Sequence, residues 1–136
     1  MNDVVIQKID SIHRCIKRAR EEYTAAGDHF ANDYTRQDAA VLNLMRACEQ
    51  SIDLANYLVK KEKLGVPSDS ADSFDLLEKG GILPPDLSSR LRKMIGFRNT
   101  VVHEYQSINI RIVETIITEG LADIIWFTET VLPYGR

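Results

Sequence analysis

Two cysteines in 136 residues, Cys15 and Cys48, are too few for a disulfide-stapled scaffold, and both fall inside helical patterns. Cys48 sits on the inner stripe of its helix and reads as a small core hydrophobe. No stretch approaches the ~20 apolar residues of a membrane span. The start, Met1-Asn2-Asp3-Val4-Val5-Ile6-Gln7-Lys8, has no long apolar run behind a basic segment. These absences point to a cytoplasmic protein in a reducing compartment, with no membrane partner. Basic excess is also missing. A formal net charge of −3 argues against a protein that coats DNA non-specifically, while leaving room for one local basic site. The histidines, His13, His29 and His103, are scattered, and no Cys or His pair has ligand spacing, so no metal or cofactor is expected. There is no glycine-rich phosphate loop, since Gly80-Gly81 reads as a helix stop, and no serine-nucleophile motif.

What is present is helical periodicity. Over about residues 3–26, Val5, Ile9, Ile12, Ile16, Ala19 and Tyr23 recur at steps of four and three, with Asn2 or Asp3 as a cap and Gly27 as a close. Its other face carries Lys8, Arg14, Lys17, Arg18, Arg20 and Glu21, either a solvated face or an RNA contact. A second helix, about 34–63, is apolar over much of its circumference (Val41, Leu44, Met45, Cys48, Ile52, Leu54, Ala55, Leu58, Val59), which predicts a central position. Lys60, Lys61 and Lys63 suit its C-terminus, and Gly65 follows as a stop. A short helix is predicted over 72–79, and a helix opened by Pro84-Pro85 over 85–104. The last segment, 108–131, is rich in β-branched residues, but its length and three-four spacing predict a helix ended by Pro133. With no repeat, low-complexity tract or linker, residues 1–136 are expected to form one all-α domain, an up-and-down bundle of four long helices and one short one. A chain of this size buries roughly two-thirds of its unfolded surface without a staple. Trp126, Phe127 and Tyr134 read as core and rim.

At about 100° per residue, Leu87, Leu91, Met94, Ile95, Arg98, Val101, Val102 and Tyr105 of the 85–104 helix and its exit gather into one stripe. Arg98 therefore stands where the pattern asks for a leucine, and a buried charge needs a partner. Beside the stripe runs a line of Arg92, Gly96, Asn99 and His103. Arg98 and His103 project about 140° apart on an ideal helix. Either the long arginine reaches back to the imidazole, or a second copy of the helix supplies one. The plain structural alternative is an ion pair between Arg98 and a carboxylate elsewhere in the bundle, with His103 a core or surface histidine. For Tyr105 it is a rim residue with its hydroxyl in water.

Arg98, four residues, His103, one residue, Tyr105 resembles the Arg-x4-His-x-Tyr signature of the HepT-like HEPN toxins. The stretch upstream fits too: Asp72-Ser73-Phe74, Leu76-Leu77, Gly80-Gly81-Ile82-Leu83-Pro84, Leu91 and Met94-Ile95. The resemblance covers residues 1–132 in layout and is specific over 72–105. It implies a homodimer whose paired motifs form a metal-independent endoribonuclease site, with Arg98 and His103 catalytic. It also implies a type II toxin–antitoxin module whose other member is a minimal nucleotidyltransferase, neutralising the toxin, with adenylylation of Tyr105 as a route.

The chemistry agrees with the resemblance. Cleaving RNA without a metal requires a proton to leave the 2′-hydroxyl and another to reach the departing 5′-oxygen, and histidine can do either near neutral pH. The phosphorane between them gathers charge that an arginine fork can answer. Asn99, with Arg92 beside it, can orient His103 or substrate, and Tyr105 can contact the RNA backbone or stack a base. Adenylates next to such a cleft would add bulk and negative charge where phosphate must enter. Two further readings compete. One is a non-catalytic bundle that docks on a nucleotidyltransferase and helps hold nucleotide or substrate. The other is a helical interaction protein with Arg98 in an interface ion pair.

Overall fold

The structure is a computed structural model that describes residues 3–135. Two long helices, α1 (Asp3–Ala26) and α2 (Tyr34–Lys61), pack along each other, and a short α3 (Ser70–Lys79) leads into α4 (Pro85–Glu104). After one tight turn at Tyr105–Ser107, α5 (Ile110–Thr115) runs through a π-helical turn (Ile116–Gly120) into α6 (Leu121–Val131). No strand occurs among the described residues. The expected all-α bundle is what the chain forms.

Each helix is where its apolar stripe demands. Val5, Ile9, Ile12, Ile16 and Ala19 of α1 are buried against α2, whose own buried residues extend from Ala40 to Val59. The Asp33 side chain accepts from the Arg36 backbone N–H (3.0 Å), satisfying one of the orphan donors that open α2. On the far side, Phe74 of α3 meets Phe127 of α6 edge to face, with centroids 5.6 Å apart. Both rings are fully buried, as are Leu77, Leu87, Leu91 and Leu121 around them. Each such side chain contributes ~1.5–3 kcal/mol by leaving water. His13 is tied to Thr128 (2.9 Å), and Cys15 and Cys48 are buried free thiols. Phe127 is core, whereas Trp126 is exposed at the rim.

Three boundaries differ from the sequence expectation. Helix α2 stops at Lys61 rather than residue 63, because Lys63 itself takes the left-handed conformation (φ 55°) that ends a helix, two residues before Gly65. Helix α3 begins at Ser70 rather than residue 72, because Asp69 accepts from the Asp72 N–H (2.8 Å) and starts it earlier. The last segment begins at Ile110, capped by Asn109 on the Arg111 N–H (2.9 Å), and is broken by the π turn rather than being one regular helix. It ends at Val131, and Pro133 lies within the tight turn that follows. The cap expected from Asn2 or Asp3 lies outside the described side chains. No helix among the described residues is long and apolar enough to cross a membrane.

Candidate active site

Helix α4 spans Pro85–Glu104, as its sequence predicts, with Pro85 in the first turn where its missing N–H costs nothing. Leu87, Leu91, Ile95 and Val101 are buried and hold it on the bundle. The stripe does not stay buried to its end: Val102 is 56% exposed and Tyr105 44%. The second line, Arg92, Gly96, Asn99 and His103, is exposed throughout. The backbone leaves helical values at Glu104 (φ −138°, ψ 43°), so Tyr105 begins a separate turn.

Arg98 finds its partners inside the protomer. One terminal nitrogen donates to Glu49 Oε1 of α2 (3.1 Å) and the other to Ser70 Oγ at the start of α3 (3.1 Å). The fork thus stitches three helices at one point. Its side chain is only 20% exposed, and its Nε is buried with no hydrogen-bond partner among the described residues. Glu49 is 45% exposed, so solvent screens the pair and its net worth is on the order of 1 kcal/mol or less. Beside it Cys48 is fully shielded, and its thiol is pushed up to about 12, first by burial and then by the Glu49 charge, against a smaller opposing pull from Arg98.

No hydrogen bond or ion pair joins Arg98 to His103 in the protomer. The guanidinium turns toward α2 and α3, while the imidazole is exposed on the neighbouring face of α4, and His103 has no polar partner among the described residues. Asn99, one turn before His103, is likewise exposed. Arg92 is partly engaged elsewhere, with Glu78 (3.7 Å) and the Ser88 carbonyl (3.4 Å). Tyr105 donates its phenol hydrogen to Asp38 of α2, and burial followed by that carboxylate pushes the phenol up to about 12.

The sequence reading allowed for a carboxylate partner to Arg98 without naming Glu49, and it missed Ser70 and Asp38. A signal existed. Arg98 and Tyr105 are two turns apart on the stripe an ideal helix would carry, and Asp38 and Glu49 are three turns apart on one face of α2 (eleven residues, about 1100°). Two carboxylates on the face of an otherwise central helix match the two groups they hold, Arg98 in α4 and Tyr105 just past its end. Two other features do not belong to the motif. A groove of about 550 Å³ runs between α4 and the α5–α6 segment, past Phe97, Met94 and Ile116, and includes neither Arg98 nor His103. No three His, Cys, Asp or Glu side chains gather as a metal site among the described residues.

A helical bundle that displays Arg-x4-His-x-Tyr at the end of one half-exposed helix defines a class of small helical proteins built around that motif. The ribonuclease HepT-like family model matches residues 12–131, and the chain belongs to that family. It is 43% identical over 131 residues to the mRNA nuclease HepT of Shewanella oneidensis, covering 96% of this chain and 98% of that protein. A tRNA nuclease HepT from Aphanizomenon flos-aquae is 24% identical over 106 residues, 78% of this chain and 72% of the relative. Among solved structures, the tri-AMPylated HEPN toxin of Shewanella oneidensis, in complex with its MNT antitoxin, superposes with a TM-score of 0.92 at 41% identity, covering 98% of this chain and 99% of that one.

Proposed function

We propose that this chain is a ribonuclease toxin that cuts RNA at paired Arg98 and His103 groups in a homodimer, without a metal. Its neutralising partner is a cognate minimal nucleotidyltransferase, which adenylylates Tyr105 in the cytoplasm they share. The observation that carries the reading is the placement of Arg98 and His103 in the last two turns of α4, with Tyr105 in the turn that follows, in a chain that belongs to the HepT-like family. The relatives' names, an mRNA nuclease and an AMPylated toxin bound to its antitoxin, support the substrate class and the partner.

His103, exposed and without a polar partner among the described residues, is free to take the 2′-hydroxyl proton or to protonate the 5′-oxygen, a contribution of typically ~10²–10⁴-fold. Arg98 supplies the charged fork for the phosphorane. Two of its five N–H donors are engaged, which leaves others for a phosphate oxygen. Within one protomer the two groups face different ways, so a second copy brings an imidazole toward each guanidinium. Gly96 fits this arrangement: a Cβ there would meet nothing within 4 Å, so nothing inside the protomer requires a glycine. It opens room beside His103 for an approaching surface. Asn99 and Arg92 line the same face and orient substrate.

Expression of the wild type is expected to arrest growth, and co-expression of the nucleotidyltransferase to relieve it. Folded Arg98→Ala and His103→Ala variants are expected to be harmless. A His103→Ala variant as toxic as the wild type would remove the histidine from the mechanism. A non-catalytic docking module is the second reading. The observation in its favour is the Arg98–Glu49–Ser70 linkage, which gives the arginine a structural role. That reading predicts tight binding to the nucleotidyltransferase with no RNA cleavage.

A further inference from the structure

Asp38 is an exposed carboxylate on α2 whose one polar partner among the described residues is the Tyr105 phenol. No cation among the described residues pairs with it. Its neighbours one turn away on the same face, Tyr34 and Leu42, are exposed and carry no charge. Among the described residues Asp38 forms no salt bridge, and it does not cap α2, which Asp33 does. What the fold does with Asp38 is hold it against one hydroxyl. The break in helical conformation at Glu104 starts the separate turn from which Tyr105 reaches back to α2.

We propose that Asp38 is the positioning residue and proton acceptor for adenylylation of Tyr105. This rests on the reading of Tyr105 as the modified residue. In the transfer, the Tyr105 phenolic oxygen attacks the α-phosphorus of ATP. The new bond joins that oxygen to phosphorus, the bond to the β-phosphate oxygen breaks, and pyrophosphate leaves. The phenolic proton passes along the existing hydrogen bond to Asp38 and from there to water. A base is needed because a neutral phenol is a weak nucleophile, and burial together with Asp38 holds this one protonated up to about 12. The carboxylate is a weak base toward a resting phenol. Its task becomes easier as the phosphorus–oxygen bond forms and the phenolic hydrogen grows more acidic. The remaining requirement, a base already within hydrogen-bond reach, is met in the protomer. Tyr105 as a whole residue is 44% exposed, so it lies at the surface where an incoming nucleotide can approach.

The test uses the full-length protein with its cognate nucleotidyltransferase, ATP and magnesium ion, and reads adenylate mass gain over time by intact-protein mass spectrometry. Asp38→Asn keeps a hydrogen-bond acceptor but cannot take the proton, Asp38→Ala keeps neither, and Asp38→Glu keeps the base on a longer arm. The Asn and Ala variants are expected to lose at least about tenfold in kcat, within reach of the ~10²-fold of general-base catalysis, with KM for the partner little changed. Asp38→Glu is expected to recover part of the rate, and all three are expected to cleave RNA before modification. Wild-type kcat in Asp38→Asn, with Tyr105→Phe gaining no adenylate, overturns the role of Asp38 as proton acceptor. Equal adenylate gain by Tyr105→Phe overturns instead the assignment of Tyr105 on which it rests.

Discussion

At the scale of single residues, Arg98 carries two obligations that can be separated. Its bond to Glu49 is screened by solvent, so Arg98→Ala leaves a carboxylate that can hydrate in place. The lost ion pair accounts for about 1 kcal/mol or less of the cost in a urea titration, and the lost packing of the largely buried stem and the lost bond to Ser70 add to it, alongside loss of RNA cleavage. A folded Arg98→Ala variant that still cleaves RNA would make the arginine purely structural. Arg98→Lys retains the charge without the planar fork and is expected to cleave well below wild type, because one ammonium nitrogen does not reproduce the fixed span of the two terminal nitrogens between Glu49 and Ser70 while also meeting a phosphate. Cys48 gives a pH prediction. Its folded thiol is raised from 9.0 to about 12, so the folded state binds this proton more tightly than the unfolded chain. That contribution to stability is complete below pH 9.0 and is lost as pH rises toward about 12. Cys48→Ala is expected to flatten the alkaline fall of the unfolding free energy over this window. An unchanged slope would mean the thiol is not shielded from water.

At the scale of elements, Gly96 is the position where local cost and purpose part. A glycine inside a helix gives up about 1 kcal/mol relative to alanine, and nothing in the protomer crowds a Cβ here. Gly96→Ala is therefore expected to stabilise the isolated protomer by up to about 1 kcal/mol while weakening self-association, measured by sedimentation. Stabilisation with unchanged association would place the contact surface elsewhere. The helices themselves were legible, because burial writes a 3.6-residue period into each segment, and α4 needed only its two prolines to fix its start. Less legible were the ends decided by single side chains: a lysine in the left-handed conformation at residue 63, and the Asp69 cap that starts α3 early. The π turn at Ile116–Gly120 left no mark, since one wide turn barely disturbs the apolar spacing on either side. The motif stood out because a charge on a leucine stripe is an anomaly. Its supports stood out less: Asp38 and Glu49 share one face of a central helix, but which groups they and Ser70 hold is settled only when the tertiary fold brings α2 and α3 against α4.

At the scale of the whole molecule, the guanidinium and imidazole of one protomer do not meet, and two copies are what the proposed chemistry requires. Mixing Arg98→Ala with His103→Ala protomers under conditions that exchange subunits is expected to restore part of the cleavage that each lacks, because one intact arginine and one intact histidine then share a dimer. No restoration, with mixed dimers demonstrated, would assign both groups to the same protomer. The most direct test of the central claim is simpler. Purified protein is incubated with end-labelled RNA in excess EDTA beside its folded His103→Ala variant. The account predicts cleavage by the wild type alone. Cleavage that EDTA abolishes, or that survives in His103→Ala, would contradict it.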